Sequence, residues 1–398
     1  MVARQAHNLE VIGSSPFSAT PKLGSLQSGS FLFCIITLRD VSKRRFCSIM
    51  KTANSTTLQR TLWVDSAKVV GIWLVILGHL RISNDLINII YSFHMPLFFF
   101  LSGYLERNKS IKDNLKNNIK TLLIPYVILY LINYLWWIPV SLLRHPEIYG
   151  EISLDNALLK PFLGMILGIG RDTPFSIMIT TPLWFLVGLF FVKFIHNILQ
   201  SICKENILFY TLCSIAIIGV VFAMKYLNIN LLFSIDSALL AFPFFAIGNI
   251  LKKKNGLKIF EQIGKKYLLF LFAIIGYIIL VIIVPFNKGV NIGGFSYGEN
   301  IFLCYFIGMI GIFSTILLSL IYTKSNKIVT TIASGTIIIM AFHGIVASFI
   351  LSILDSISES ITMNPLVNAL VALITVFIFV FPIMIIKNYF PIITGGRK

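Results

Sequence analysis

The chain has 398 residues, 57% hydrophobic and 12% charged, with 33 Lys and Arg against 16 Asp and Glu, a formal net charge of +17 and a mean hydropathy of +0.86. That balance excludes a soluble domain of this length and points to a multi-span helical membrane protein. The basic residues sit in short clusters between apolar runs, so the charge reads as membrane topology and not as nucleic-acid binding.

Residues 1–50 are polar, rich in Ser and Gly, and hold no sustained apolar run. They are expected to be disordered or a spurious extension, with translation starting at Met50; the run Ser30 to Leu38 is too short to span. Residues 60–390 then read as one transmembrane domain. About ten spans are expected, at 62–80, 86–105, 121–143, 182–202, 206–225, 231–251, 267–285, 300–322, 328–353 and 364–387, each near the 20 residues that cross roughly 30 Å of hydrocarbon. Trp136 and Trp137 near the end of the third span suit an interfacial aromatic belt. The run from Ala157 to Gly170 is too short to cross and reads as an interfacial or re-entrant element that covers the site. Pro125, Pro243 and Pro382 fall in apolar stretches and mark expected kinks.

The expected fold is therefore an all-α integral membrane protein, about ten helices in one bundle. Lys and Arg gather in the loops after the second, fourth, sixth and eighth spans and at the C-terminus, above all at Lys252 to Lys254 with Lys258, Lys265 and Lys266, while acidic residues favour the other side. Both termini are expected to be cytoplasmic. The five cysteines, Cys34, Cys47, Cys203, Cys213 and Cys304, have neither metal spacing nor a disulfide pattern, and no metal is expected.

Ionisable residues inside apolar runs are costly and by default face a bundle interior or a wet cavity. Lys68 and His79 are eleven apart, so they differ by only about 20° around a helix and by roughly 16 Å along it. Asp65 lies one turn before Lys68 on the same face. These three are read as lining a polar path that runs lengthwise through the protein. With the N-terminus inside, Lys68 and Asp65 lie near the cytoplasmic mouth and His79 toward the outer leaflet. His94 and His343 fall at a comparable depth, although sequence does not place the three side by side.

Lys68 and His79 with ten residues between them, FHMPLFFFLSGYL from Phe93, LLIPY from Leu122, PLWFL from Pro182, DSALLAFPFFAIGNILK from Asp236 and MAFHG from Met340 occur in the order seen in the membrane acyltransferase-3 family. The chain resembles that family over roughly residues 60 to 390, particularly its stand-alone sugar O-acetyltransferases of the fucose 4-O-acetylase-like kind. Lys68 stands where the family usually has Arg, which keeps the charge and loses the planar fork for bidentate phosphate contact. The resemblance implies a multi-pass enzyme of the bacterial inner (cytoplasmic) membrane. It would take acetyl from cytosolic acetyl-CoA to a sugar hydroxyl of a surface polysaccharide, lipid-linked oligosaccharide or glycolipid. The implied partners are acetyl-CoA, a carbohydrate acceptor and the lipid bilayer. With no soluble domain after the last span in this sequence, direct transfer to the acceptor is expected over hand-off to a second domain.

Transfer to a hydroxyl needs a base that takes its proton, and imidazole titrates near neutral pH. His79 is the expected catalytic base. Lys68, with Asp65, is expected to draw in the anionic donor, the alternative for Lys68 being to snorkel to the inner interface paired with Asp65. His94, His343, Asp236, Glu299 and Trp184 are candidate site-lining residues: the carboxylates to orient an imidazole or a hydroxyl, the indole to stack on a sugar or anchor the helix at the interface. Ser102 reads as a helix-packing residue beside Gly103, not a nucleophile. His196 is expected to be exposed. The rival reading of the whole chain is a multi-span transporter or exporter of a small solute or glycan precursor, which also places charges inside helices.

Overall fold

The structure, a computed structural model, describes residues 62–107, 110–144, 159–168, 182–322, 324 and 326–396. The expectations for residues 1–50, for Cys34 and Cys47 and for the start at Met50 lie outside the described residues.

Fourteen helices carry the fold among the described residues: α1 (62–77), α2 (Asn84–Tyr104), α3 (Ile111–Asn118), α4 (Ile124–Arg144), α5 (Lys160–Leu167), α6 (Trp184–Cys203), α7 (Ile207–Tyr226), α8 (Ile235–Lys253), α9 (Lys266–Ile283), α10 (Ile301–Ile321), α11 (Lys327–Ser334), α12 (Thr336–Asp355), α13 (Pro365–Ile378) and α14 (Val380–Tyr389). Single turns at Lys258–Glu261 and Glu359–Thr362 accompany them. Nine helical stretches are long and apolar enough to cross a membrane among the described residues, and α1 adds a further apolar helix. This is an all-α multi-span membrane architecture. In hydrocarbon every backbone group must find its partner within the segment, which helices alone provide here.

Glycines and prolines explain where the helices depart from simple spans. A Cβ on Gly103 would stand 2.0 Å from the Phe245 carbonyl oxygen, and one on Gly248 would stand 2.2 Å from that of Phe100. α2 and α8 therefore cross backbone to backbone, the close approach that small residues permit inside membranes. The two helices, with α10, are buried for most of their length. α7 and α9 turn Leu208, Leu212, Phe222, Phe270 and Ile282 outward, as a lipid-facing surface requires. Between α3 and α4 the chain makes a π-helical turn, Ile119–Leu123, just before Pro125. Proline lacks an N–H for its own i−4 carbonyl, and the widened turn absorbs that loss. The ninth expected span breaks at Gly335, into which the Ile383 side chain packs. The last breaks at Phe379, close before Pro382.

Lys252 Nζ donates to the Glu106 carbonyl oxygen at 2.9 Å and Lys253 Nζ to Gln200 Oε1 at 2.8 Å, so α2, α6 and α8 finish together at a lysine-rich end. The opposite end carries the turn after α1, the starts of α2, α6 and α8, and a two-stranded antiparallel hairpin, β1 (Val290–Asn291) with β2 (Ser296–Tyr297). The hairpin is tied down on three sides. Gly289 N–H donates to Asn88 Oδ1 at 3.1 Å, Ser237 Oγ to the Gly293 oxygen at 3.1 Å, and Lys225 Nζ to the Phe295 oxygen at 3.3 Å. Of the run expected to be re-entrant, α5 is described: Tyr126 donates to the Met165 carbonyl oxygen at 2.8 Å and Tyr130 to that of Pro161 at 3.0 Å.

Candidate active site

α1 stops at Leu77, two residues earlier than His79, so His79 belongs to the turn that ends the helix and not to the helix itself. Its ring still caps that helix: Nδ1 lies 2.7 Å from the Val75 carbonyl oxygen. His94 Nδ1 lies 2.8 Å from the Ile90 oxygen, and His343 Nδ1 lies 3.0 Å from the oxygens of both Ile339 and Met340. A carbonyl oxygen only accepts, so each Nδ1 carries a proton, and in the neutral ring the lone pair then falls on Nε2.

The three histidines of equal expected depth meet in space. The His79 and His343 rings are edge to face with centroids 5.2 Å apart. Tyr91 links His79 to His94, with ring centroids 6.1 Å from the first and 4.9 Å from the second. Gly78 makes room for that tyrosine, since a Cβ there would stand 3.1 Å from its ring. His79 and His94 line a cavity of about 70 Å³ together with Tyr91, Met95, Trp184 and Asn291. His343 stands behind it, buried, while Met340 from the same helix reaches the cavity wall. His79 is exposed, His94 and His343 are not. Trp184 is held by the hairpin, whose Gly293 lies so near that a Cβ would come within 2.6 Å of the indole.

A second cavity, of about 580 Å³, opens toward the lysine-rich end. Lys68, Arg107, Lys120 and Lys193 line it against the single carboxylate of Glu106. Lys193 Nζ donates to Glu106 Oε2 at 2.6 Å, leaving the wall with an excess of positive charge that attracts anions. Asparagines Asn114 and Asn117 add amide groups, and the π-helical turn supplies Lys120 and Thr121. Asp65 lies within the electrostatic reach of Lys68 and of Lys387 and lines neither cavity.

The remaining candidates stand apart. Asp236 is buried at the start of α8, where Oδ2 accepts from the Leu231 N–H at 3.2 Å and Oδ1 from the Ser237 N–H at 2.7 Å. Its carboxylate organises a helix N-terminus, as acidic groups do there, and lies outside both cavities. Glu299 is exposed beyond the hairpin and lines neither. Ser102 Oγ donates to the Phe98 oxygen at 2.7 Å. His196 is not exposed: it shares a 2.8 Å hydrogen bond with the Tyr210 hydroxyl, because the tight turn after Cys203 folds α7 back over it. Among the described residues no group of three His, Cys, Asp or Glu side chains is arranged to hold a metal ion.

Tyr91 and Asn291 escaped the sequence reading. Tyr91 has a signal, since it stands three residues before His94 on the same helix face. Asn291 has none, because only the folded hairpin brings it to the histidines.

The multi-span helical bundle thus carries a histidine-lined cavity toward one end and a lysine-rich one toward the other. The sequence profile of the acyltransferase 3 family matches residues 61–386, and the chain belongs to that family: it is a membrane acyltransferase. No curated protein and no solved structure matches it.

Proposed function

We propose that this acyltransferase is an O-acetyltransferase of the cytoplasmic membrane. It takes acetyl from acetyl-CoA on the cytosolic side and places it on a sugar hydroxyl of a surface polysaccharide, a lipid-linked oligosaccharide or a glycolipid. The observation that carries this reading is the His79 imidazole, bonded through Nδ1 to Val75 with Nε2 beside a cavity, in the turn that ends the helix whose Lys68 lines the cationic chamber below.

The chemistry follows from those positions. The phosphates of the donor lie in the larger cavity among Lys68, Arg107 and Lys120, and the thioester end points toward His79. His79 Nε2 takes the acceptor's hydroxyl proton as the oxygen attacks the thioester carbon. The tetrahedral intermediate collapses by breaking the C–S bond, and the imidazolium returns its proton to the departing thiolate. Tyr91 and Asn291 line the same cavity and offer donors to the transient oxyanion. Trp184 offers a flat apolar face to a sugar ring, as aromatic side chains do. His343, edge to face with His79, braces that ring against rotation.

The test is labelled acetyl transfer from acetyl-CoA into the glycan fraction of native membranes. His79→Ala should lower the rate by about 100-fold or more, the usual reach of a positioned base, with expression and detergent elution unchanged. Retained transfer would remove His79 from the chemistry, and solute counterflow without acetylation would assign the chain to transport.

A further inference from the structure

Beyond Leu77 the backbone leaves the helix, and short-range hydrogen bonds shape the turn that carries His79. The His79 N–H donates to the Ile76 carbonyl oxygen at 2.9 Å, that of Leu80 to Leu77 at 3.1 Å and that of Ile82 to Leu80 at 3.0 Å. These bonds fix the turn's own form. They do not fix where it stands against the other helices.

Asn368, on α13, supplies that tie. Its Nδ2 donates to the Arg81 carbonyl oxygen at 2.7 Å and to the Thr362 oxygen at 2.8 Å, so one side-chain amide joins the His79 turn to the segment that follows α12. The next residue, Ala369, accepts from Trp73 Nε1 at 3.1 Å, which fastens α1 itself to the same stretch of α13. The Arg81 side chain adds a second tie: its guanidinium donates to Asp355 Oδ1 at 3.0 Å, and the Thr362 hydroxyl donates to the same oxygen at 2.6 Å. Asp355 closes α12, the helix whose His343 ring stands against His79.

The two ties differ in weight. The Arg81 and Asp355 side chains are 48% and 29% exposed, and an ion pair so placed is screened by water and contributes little. Asn368 is fully buried, where water does not compete for its hydrogen bonds. It occupies that place at a cost, because its Oδ1 meets no hydrogen-bond partner among the described residues, and a buried orphan acceptor is unfavourable. Leucine would fill the space in this apolar run without an orphan oxygen. What leucine lacks is the pair of N–H groups, so the asparagine's gain lies in the two carbonyls it joins.

We propose that Asn368 is a positioning residue for His79: by holding the Arg81 carbonyl, two residues past the histidine, it keeps the imidazole at the cavity beside Tyr91 and Asn291. This rests on the acyl-transfer reading above, in which that imidazole takes the acceptor's proton. Asn368 itself lines neither cavity.

The experiment measures kcat and the KM for acetyl-CoA in native membranes for Asn368→Leu and Asn368→Ser, alone and combined with His79→Ala, with rates normalised to the amount of protein that elutes folded in detergent. Asn368→Leu should lower kcat about ten-fold with KM within about two-fold of the wild type, since a small displacement of a catalytic group costs that much or more. In the His79→Ala background, whose residual rate no longer uses the ring, the same change should cost less than about two-fold, the non-additivity of residues that act through one another. Asn368→Ser is smaller, keeps one donor on a shorter arm and should give a kcat between the two; it carries the test if the leucine variant does not fold. Wild-type kcat in the folded variants overturns the proposal. So does a loss repeated in full on top of His79→Ala, which a merely structural role would give. Absence of transfer by the wild type would instead overturn the acyl-transfer reading itself.

Discussion

Lys68 on α1 lines the larger cavity and His79, in the turn after α1, lines the smaller, which makes their proposed contributions separable. Lys68→Arg keeps the charge in the larger cavity and should support transfer near the wild-type rate. Lys68→Ala removes it and should raise the KM for acetyl-CoA about ten-fold, equivalent to about 1.4 kcal/mol of donor binding, with kcat little changed. An unaltered KM in steady-state assays would reduce Lys68 to an anchor at the membrane boundary. These two residues were legible because ionisable groups in apolar sequence stand out and helical periodicity orders them. The common depth of His79, His94 and His343 was legible for the same reason, but their meeting was not, since three helices must first pack. Asn368 could not be read at all. It is one amide at the start of an apolar run, and only its reach to the Arg81 carbonyl distinguishes it.

The elements answer to the same logic one scale up. Hydropathy located the long helices, because each needs about 20 apolar residues to cross. It could not see that α1 yields to a turn at Gly78, that the stretch before Pro125 widens to a π turn, or that a hairpin roofs the histidines, since these depend on what packs against them. The α2–α8 crossing offers a sharp test. Backbone cannot step aside as a side-chain tip can, so Gly103→Val should destabilise the bundle by about 3 kcal/mol, the upper range for overpacking a tight contact. Gly219→Ala is the control: it lies exposed on α7 with nothing within 4 Å of an added Cβ. It should leave stability unchanged or raise it by up to about 1 kcal/mol through helix propensity. Thermal unfolding in detergent, followed by size-exclusion fluorescence, checks both. Equal behaviour of the two variants would mean that the close approach at Gly103 carries no packing constraint.

At the scale of the whole molecule, the proposed mechanism requires that the cationic chamber face the compartment that holds acetyl-CoA. Charge provides the direction. Lys252 to Lys254 crowd the end where α2, α6 and α8 finish, and short loops rich in Lys and Arg stay on the cytoplasmic side. On the proposed reading the hairpin and Trp184 face outward, toward the acceptor. A cysteine placed at Lys254 and another at Lys288, each in a variant without the five native cysteines, distinguish the two orientations. In intact cells a membrane-impermeant maleimide should label the protein carrying Lys288→Cys and spare Lys254→Cys until the membrane is opened. The reverse pattern would put the lysine-lined cavity on the side without acetyl-CoA. His79 would then need an acyl donor from outside the cytosol, and the division of labour between the two chambers would have to be inverted.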